Sequence, residues 1–65
     1  MVDLKQLRMN KMLSRRKVGS DLGVTGVTVY NWEKGTSTPN VGMILKIAEY
    51  YNVEPTEVFK AVART

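Results

Sequence analysis

Residues 14–35 read SRRKVGSDLGVTGVTVYNWEKG and carry the clearest structural pattern of the chain. Ser14 and Thr25 each carry the side-chain oxygen that caps the first turn of a helix. Gly23 and Gly35 follow them at helix-length intervals, and a glycine just past a helix supplies the left-handed residue that ends it. The stretch therefore predicts two short helices that are joined by a glycine turn.

A glycine inside the first of these helices, Gly19, indicates that the two helices cross closely. Glycine costs about 1 kcal/mol relative to alanine within a helix, so its presence there favours a packing reason over chance. Two short helices joined in this way form a helix-turn-helix over about residues 15–34. Val24, Val27 and Val29 could also form a strand, but the helix caps on both sides argue against it.

Three further helices are predicted outside this unit. The first lies near residues 3–12, where apolar side chains and the stem of Lys11 recur at helical spacing. Asn40 caps the fourth helix and Asn52 ends it, while Pro55 suits the first position of the fifth. The side chains predicted to be buried are Val41, Ile44, Leu45 and Ala48 in the fourth helix and Val58, Phe59 and Val62 in the fifth. The fold class is all-α, with residues 1–65 as a single domain.

The charged residues are distributed unevenly along the chain. The net charge is +4, and all of it lies in residues 1–34, where seven Lys and Arg face three Asp and Glu. A one-sided basic excess favours a polyanionic partner, although a solubilising surface is the alternative reading. The absence of Cys and His removes the usual metal ligands and the usual general base, so we expect no cofactor, no metal and no enzymatic activity.

These motifs occur in a definite order. They are Leu13-Ser14-Arg15, Val18-Gly19, Leu22-Gly23-Val24-Thr25, Val29 and Trp32-Glu33-Lys34-Gly35, followed by Pro39-Asn40, Ile44-Leu45-Lys46-Ile47-Ala48, Val53 and Glu57-Val58-Phe59. The set resembles the lambda-repressor-like, Cro/cI-type (XRE) helix-turn-helix family from Leu4 to Phe59. The resemblance implies a compact five-helix bundle whose third helix enters the major groove of DNA. The chain departs from the family pattern at Met12, Arg15, Gly42 and Glu54.

The third helix has one face that suits DNA. At about 100° per residue, Thr25, Val29 and Trp32 point inward, and Trp32 is therefore predicted to be core. The candidate base-reading residues are Gly26, Val27, Thr28, Tyr30 and Asn31. An amide can bond adenine at two positions, and a valine can pack on a thymine methyl group. The alternative is that this face is merely solvated.

Phosphate contacts are expected on either side of that helix. Basic residues at the start of the second helix oppose its dipole, and a bound phosphate would resolve that conflict. The candidates are Arg15, Arg16, Lys34, Thr36, Ser37 and Thr38, with a solvated cluster and an ordinary polar loop as the alternative. The resemblance also implies a structural ion pair between Arg8 and Glu33.

The small size of the domain favours a homodimer, at least on DNA. Two half-sites lie about 34 Å apart, so a two-fold dimer reading an inverted repeat gains specificity. The candidate dimer contacts are Tyr50, Tyr51, Phe59 and Val62, of which Tyr50 is predicted to be the most exposed. Core packing is the alternative for all of them.

We therefore expect a sequence-specific regulator of transcription that binds double-stranded DNA and acts at an operator, of the phage Cro or small prokaryotic repressor kind. Its expected location is the cytoplasm of a prokaryotic or phage-infected cell, with no membrane association. An antitoxin or antirepressor that binds an unknown protein on the same fold is the alternative. RNA binding needs an exposed aromatic platform, for which only Tyr30 is well placed.

Overall fold

The computed structural model describes residues 3–63 and contains five helices over that part of the chain. They are α1 (Leu4–Asn10), α2 (Arg15–Leu22), α3 (Gly26–Lys34), α4 (Val41–Tyr51) and α5 (Pro55–Val62). The first four begin after a residue whose side chain accepts a hydrogen bond from the backbone N–H three positions on. These capping residues are Asp3, Ser14, Thr25 and Asn40. Pro55 begins α5 without such a cap, and proline suits this first position because its missing N–H needs no partner there. The predicted all-α fold is confirmed.

Left-handed residues end most of these helices. Gly23 (φ 80°), Gly35 (φ 88°) and Asn52 (φ 58°) occupy this conformation immediately after α2, α3 and α4. The predicted extent of the first helix is wrong by two residues at its C-terminal end, because Met12 turns left-handed with φ 57°. Lys11 consequently lies outside α1 and is exposed, so its stem does not extend the apolar stripe.

All five helices contribute to one hydrophobic core. Its buried members are Leu4, Val18, Leu22, Val29, Trp32, Ile44, Ile47, Ala48, Tyr51, Val58, Ala61 and Val62. Helices α2 and α3 pack on each other, as do α4 and α5, while α1 contacts α3 and α5. The prediction that Trp32 belongs to the core is confirmed, since it is 9% exposed.

Three of the apolar residues predicted to be buried are exposed instead. Val41 and Leu45 of α4 are 60% and 51% exposed, and Phe59 of α5 is 42% exposed. Helix α4 buries Ile47 and Tyr51 beside Ile44 and Ala48, so its inward face is turned away from the predicted stripe. In α5, Val58, Ala61 and Val62 form the buried face, and Phe59 lies about 100° around the helix from Val58.

Candidate nucleic-acid interface

Helices α2 and α3 meet with their backbones in close contact. A Cβ atom on Gly19 would lie 2.7 Å from the Thr25 carbonyl carbon and 2.9 Å from the Val24 carbonyl oxygen. The Val24 N–H donates to the Gly19 carbonyl at 2.8 Å, which closes the turn between the helices. The prediction that Gly19 permits the close crossing is confirmed, and the crossing holds α3 in a defined position.

Gly26 lies in the same crossing rather than on the outer face of α3. A Cβ atom there would come within 3.3 Å of the Arg16 backbone, so the missing side chain faces α2. Thr28 is half-buried, and its hydroxyl lies 3.1 Å from that of Thr25 at the N-terminus of the helix. These two candidate base-reading residues are therefore engaged by contacts at the start of α3.

The outward face of α3 is centred on Val27, which is 68% exposed. Tyr30 lies on one side of it and is 40% exposed, whereas Val29 on the opposite face is only 3% exposed. Asn31 lies on the other side of Val27 and is half-buried. An aliphatic side chain is therefore flanked by a phenol and an amide on a firmly supported helix.

Asn31 is tied to the loop that follows α3. Its side-chain Oδ1 accepts a hydrogen bond from the Thr36 hydroxyl at 3.1 Å, and its backbone carbonyl accepts from the N–H groups of Gly35, Thr36 and Ser37. These bonds orient the amide before any partner arrives. They also fold the exposed residues Thr36 and Ser37 back against the end of α3, and exposed Thr38 follows them.

A buried carboxylate links α3 to both preceding helices. Glu33 Oε2 lies 2.6 Å from Arg8 Nε, and the Glu33 side chain is only 4% exposed. Arg8 also donates to the Leu13 carbonyl at 2.8 Å. The structure therefore contains the ion pair that the family resemblance implied. A second guanidinium shares the carboxylate, because Arg15 Nε lies 3.3 Å from Glu33 Oε1.

The basic candidates differ in how they are held. The Arg15 guanidinium lies 5.0 Å from the Tyr30 ring centre, and Lys34 Nζ donates to the Tyr30 hydroxyl at 3.2 Å. Arg16 is exposed and forms no ion pair among residues 3–63. Sequence reasoning missed Lys5, which lines one surface pocket together with Arg15, Tyr30, Glu33 and Lys34. Its position three residues before Arg8 on α1 was the available signal.

The candidate dimer residues are distributed differently from the prediction. Tyr51 and Val62 are 5% and 8% exposed, so the core of one protomer already covers them. Tyr50 is half-buried, and Phe59 is the most exposed of the four, which corrects the expectation for Tyr50. The Tyr50 hydroxyl donates to Asp21 Oδ2 at 2.7 Å and thereby joins α4 to α2.

That hydrogen bond perturbs both partners. Burial and the bond to the Asp21 carboxylate together raise the pKa of Tyr50 to about 12. The same bond is the main reason that the pKa of Asp21 lies below its ordinary value, with a smaller contribution from Lys17. The Tyr50 hydroxyl therefore stays protonated and able to donate across the physiological pH range.

Neither a membrane-spanning helix nor a metal-binding cluster occurs within residues 3–63. No helix there is long and apolar enough to cross a membrane. The chain has no His or Cys, so Asp and Glu are its candidate metal ligands. No three of them come together there in a way that could hold a metal ion.

The fold and this surface define a helix-turn-helix protein, and comparison with known families agrees. The helix-turn-helix family matches residues 4–58, and the chain belongs to that family. The chain is 31% identical over 55 residues to the cryptic phage CTXphi transcriptional repressor RstR of Vibrio cholerae, covering 85% of this chain but only 50% of that one. It is 36% identical over 56 residues to the uncharacterised HTH-type transcriptional regulator YgzD of Bacillus subtilis strain 168, covering 86% and 85%. No solved structure gives a significant match.

Proposed function

We propose that this protein is a sequence-specific repressor that occupies a DNA operator and blocks transcription, in the cytoplasm of a prokaryotic or phage-infected cell. The observation that carries the proposal is the outward face of α3. Val27 is 68% exposed there, beside the pre-oriented amide of Asn31, on a helix that α2 supports through backbone contact. One relative is named as a phage repressor, which agrees with this direction of regulation.

Asn31 and Val27 have the chemistry for reading bases in the major groove. The Thr36 hydroxyl uses one of the two lone pairs on Asn31 Oδ1. The second lone pair and the Nδ2 donor can therefore still bond adenine at its N6 and N7 positions. Val27 supplies an exposed apolar surface for a thymine methyl group. We therefore assign direct readout to these two residues, with Gly26 and Thr28 supporting the start of α3.

Phosphate contacts surround this reading face. Arg16 lies exposed in the first turn of α2, where the backbone N–H groups and the helix dipole already favour an anion. Thr36, Ser37 and Thr38 offer hydroxyl groups beyond the end of α3. These groups position the protein along the duplex without reading its sequence.

We also propose that the protein binds as a two-fold dimer on an inverted repeat. The described part of one protomer measures 24 × 22 × 21 Å, which is shorter than the distance of about 34 Å between half-sites one helical turn apart. Two copies are therefore needed to read both half-sites. Phe59 is the best placed of the candidate contact residues, because it is 42% exposed on α5.

Selection of bound sequences from a random duplex library, at near-physiological salt, tests the proposal. We expect an enriched inverted repeat, whose spacing reports the dimer geometry. Asn31→Ala should relax the preference at one position of each half-site and leave the affinity for random duplex nearly unchanged. Gln6→Ala is the matched control, because it removes an exposed amide from α1.

Two outcomes would contradict this reading. An equal loss of affinity by Asn31→Ala on selected and random DNA would remove Asn31 from the base-reading surface. Recovery of no motif, with weak binding that vanishes as salt rises, would leave only the electrostatic attraction to DNA. A protein partner would then be the better explanation of the fold's use in this chain.

A further inference from the structure

Three helices bring cations together around one tyrosine. Lys5 of α1, Arg15 of α2 and Lys34 of α3 line the same surface pocket as Tyr30, with Glu33 as its acidic member. The two ring contacts are close, since the Arg15 guanidinium lies 5.0 Å and the Lys34 ammonium 5.5 Å from the ring centre. Lys5 and Arg15 are far in the sequence from Tyr30 and Lys34, so the packing of α1 and of α2 against α3 is needed to complete this cluster.

The cluster carries an excess of positive charge. Its only carboxylate, Glu33, is already shared between Arg8 at 2.6 Å and Arg15 at 3.3 Å. Lys5 and Lys34 have no carboxylate within 4.0 Å among residues 3–63. Lys5, Arg8, Arg15 and Lys34 carry four positive charges and Glu33 one negative charge. The net charge of this small region is therefore +3. Their mutual repulsion would be relieved by an anion, and an oxyanion with several acceptors suits ammonium and guanidinium donors.

Tyr30 adds a neutral donor to these cations. Its hydroxyl oxygen accepts a hydrogen bond from Lys34 Nζ at 3.2 Å, which leaves its own proton available to a further acceptor. Arg15 and Lys34 hold the ring on the side of α3 that faces α1 and α2. Tyr30 is thus about 60° around the helix from Val27, at the edge of the reading face rather than at its centre.

A second surface pocket continues this site toward the reading face. It is lined by Arg15, Arg16, Gly26, Val27 and Tyr30, so it shares Arg15 and Tyr30 with the first. The two pockets together form a path from the exposed start of α3 to Lys5 on α1. A nucleic-acid strand whose bases meet Val27 would carry its backbone along this path.

We propose that Lys5, Tyr30 and Lys34 bind one backbone phosphate of the DNA, with Arg15 as a positioning residue that holds the Tyr30 ring. The inference rests on the proposed DNA-binding function and deepens it. It adds Lys5 to the interface and makes Tyr30 a contact to the phosphate backbone instead of a base-reading residue. A free phosphate ion offers the same chemistry as a DNA phosphate, and the test distinguishes these two ligands.

The test measures affinity against salt for the full-length protein on a selected duplex and on a random duplex. Lys5→Ala should reduce the magnitude of the slope of log affinity against log salt by about 0.9 on both duplexes, since it removes one counterion-releasing contact. Tyr30→Phe should leave the slope unchanged. It should lower the affinity for both duplexes about equally, by roughly three- to tenfold, because it removes one hydrogen bond. Lys46→Ala removes an exposed cation from α4 and should match the wild type.

Several results would overturn the proposal. An unchanged slope in Lys5→Ala would remove Lys5 from the interface. A loss of affinity confined to the selected duplex in Tyr30→Phe would make Tyr30 a base-reading residue.

In a second experiment, inorganic phosphate is titrated into the wild type and Lys5→Ala while the backbone amide signals of Tyr30 and Lys34 are followed by NMR. Phosphate-dependent shifts in a wild type that binds no duplex would refute both the DNA function and the DNA-phosphate assignment. A wild type that binds DNA while Lys5→Ala behaves identically would refute this site alone.

Discussion

Replacing Gly19 by alanine separates the packing role of this glycine from its effect on helix propensity. In an isolated helix the change stabilises by about 1 kcal/mol. Here the new Cβ atom would lie 2.7 Å from the Thr25 carbonyl carbon, 2.9 Å from its oxygen and 2.9 Å from the Val24 oxygen. Carbon atoms in van der Waals contact lie about 3.5–4.0 Å apart, so the deficit approaches 1 Å. All three obstructing atoms belong to the backbone, and only movement of the turn and of α3 can relieve the clash.

The expected net effect is a loss of stability. Overpacking costs about 1–3 kcal/mol, and a clash with backbone belongs at or above the upper end of that range. After the gain in propensity is subtracted, Gly19→Ala should lower the free energy of unfolding by about 2 kcal/mol. For a domain of this size, each kcal/mol shifts Tm by about 4–8 °C, so Tm should fall by roughly 10 °C. Thermal unfolding followed by circular dichroism measures this directly.

Gly42 provides the matched control, because it receives the same substitution in another helix. A Cβ atom on Gly42 would meet only the Asn40 side-chain oxygen at 3.6 Å, which is an ordinary contact. Gly42→Ala should therefore raise Tm by a few degrees through helix propensity alone. A Gly19→Ala variant that is as stable as Gly42→Ala, or more stable than the wild type, would refute the close-crossing argument.

Three further perturbations test particular contacts. Met12 is 92% exposed with φ 57°, so Met12→Gly should relieve left-handed strain and stabilise by about 1 kcal/mol in thermal unfolding. Glu33→Gln leaves the Arg8 charge buried without its counter-charge and should cost about 3 kcal/mol in urea unfolding; a loss below about 1 kcal/mol would mean that this pair behaves like an exposed one. Tyr50→Phe removes the main cause of the lowered pKa of Asp21, so an NMR titration of that carboxyl group should give a pKa shifted up toward 3.8. Because the lowered pKa stabilises the fold only while Asp21 is ionised, the stability difference between wild type and Tyr50→Phe should shrink as the pH falls through that lowered pKa. An Asp21 pKa that does not change would show that Tyr50 is not its partner in solution.

Much of the candidate site was predictable because its elements are local. The face of α3 that carries Val27, Tyr30 and Asn31 follows from helical geometry once the caps define where the helix begins. The bonds that reach these side chains from outside α3 were not predictable. The Thr36 hydroxyl reaches Asn31 only because the loop after α3 folds back, and Arg15 reaches Tyr30 only because α2 crosses α3.

The starts of α2, α3 and α4 and the ends of α2 and α3 follow from the amino-acid sequence alone. Ser14, Thr25 and Asn40 each bond a backbone N–H three residues away, and Gly23 and Gly35 adopt the left-handed turn next to their own helices. Such interactions need no distant partner, so residue types at short spacings are sufficient to specify them.

Which sides of those helices are covered, and which charged side chains meet, depends on how the helices pack together. Leu45 and Phe59 have the apolar character of core residues, yet they are exposed because α4 and α5 pack through neighbouring faces. The convergence of Lys5 of α1 and Arg15 of α2 on Tyr30 of α3 depends on the packing of three separate helices. Helical periodicity assigns a residue to a face of its own helix, but only the packing of the helices determines what that face meets.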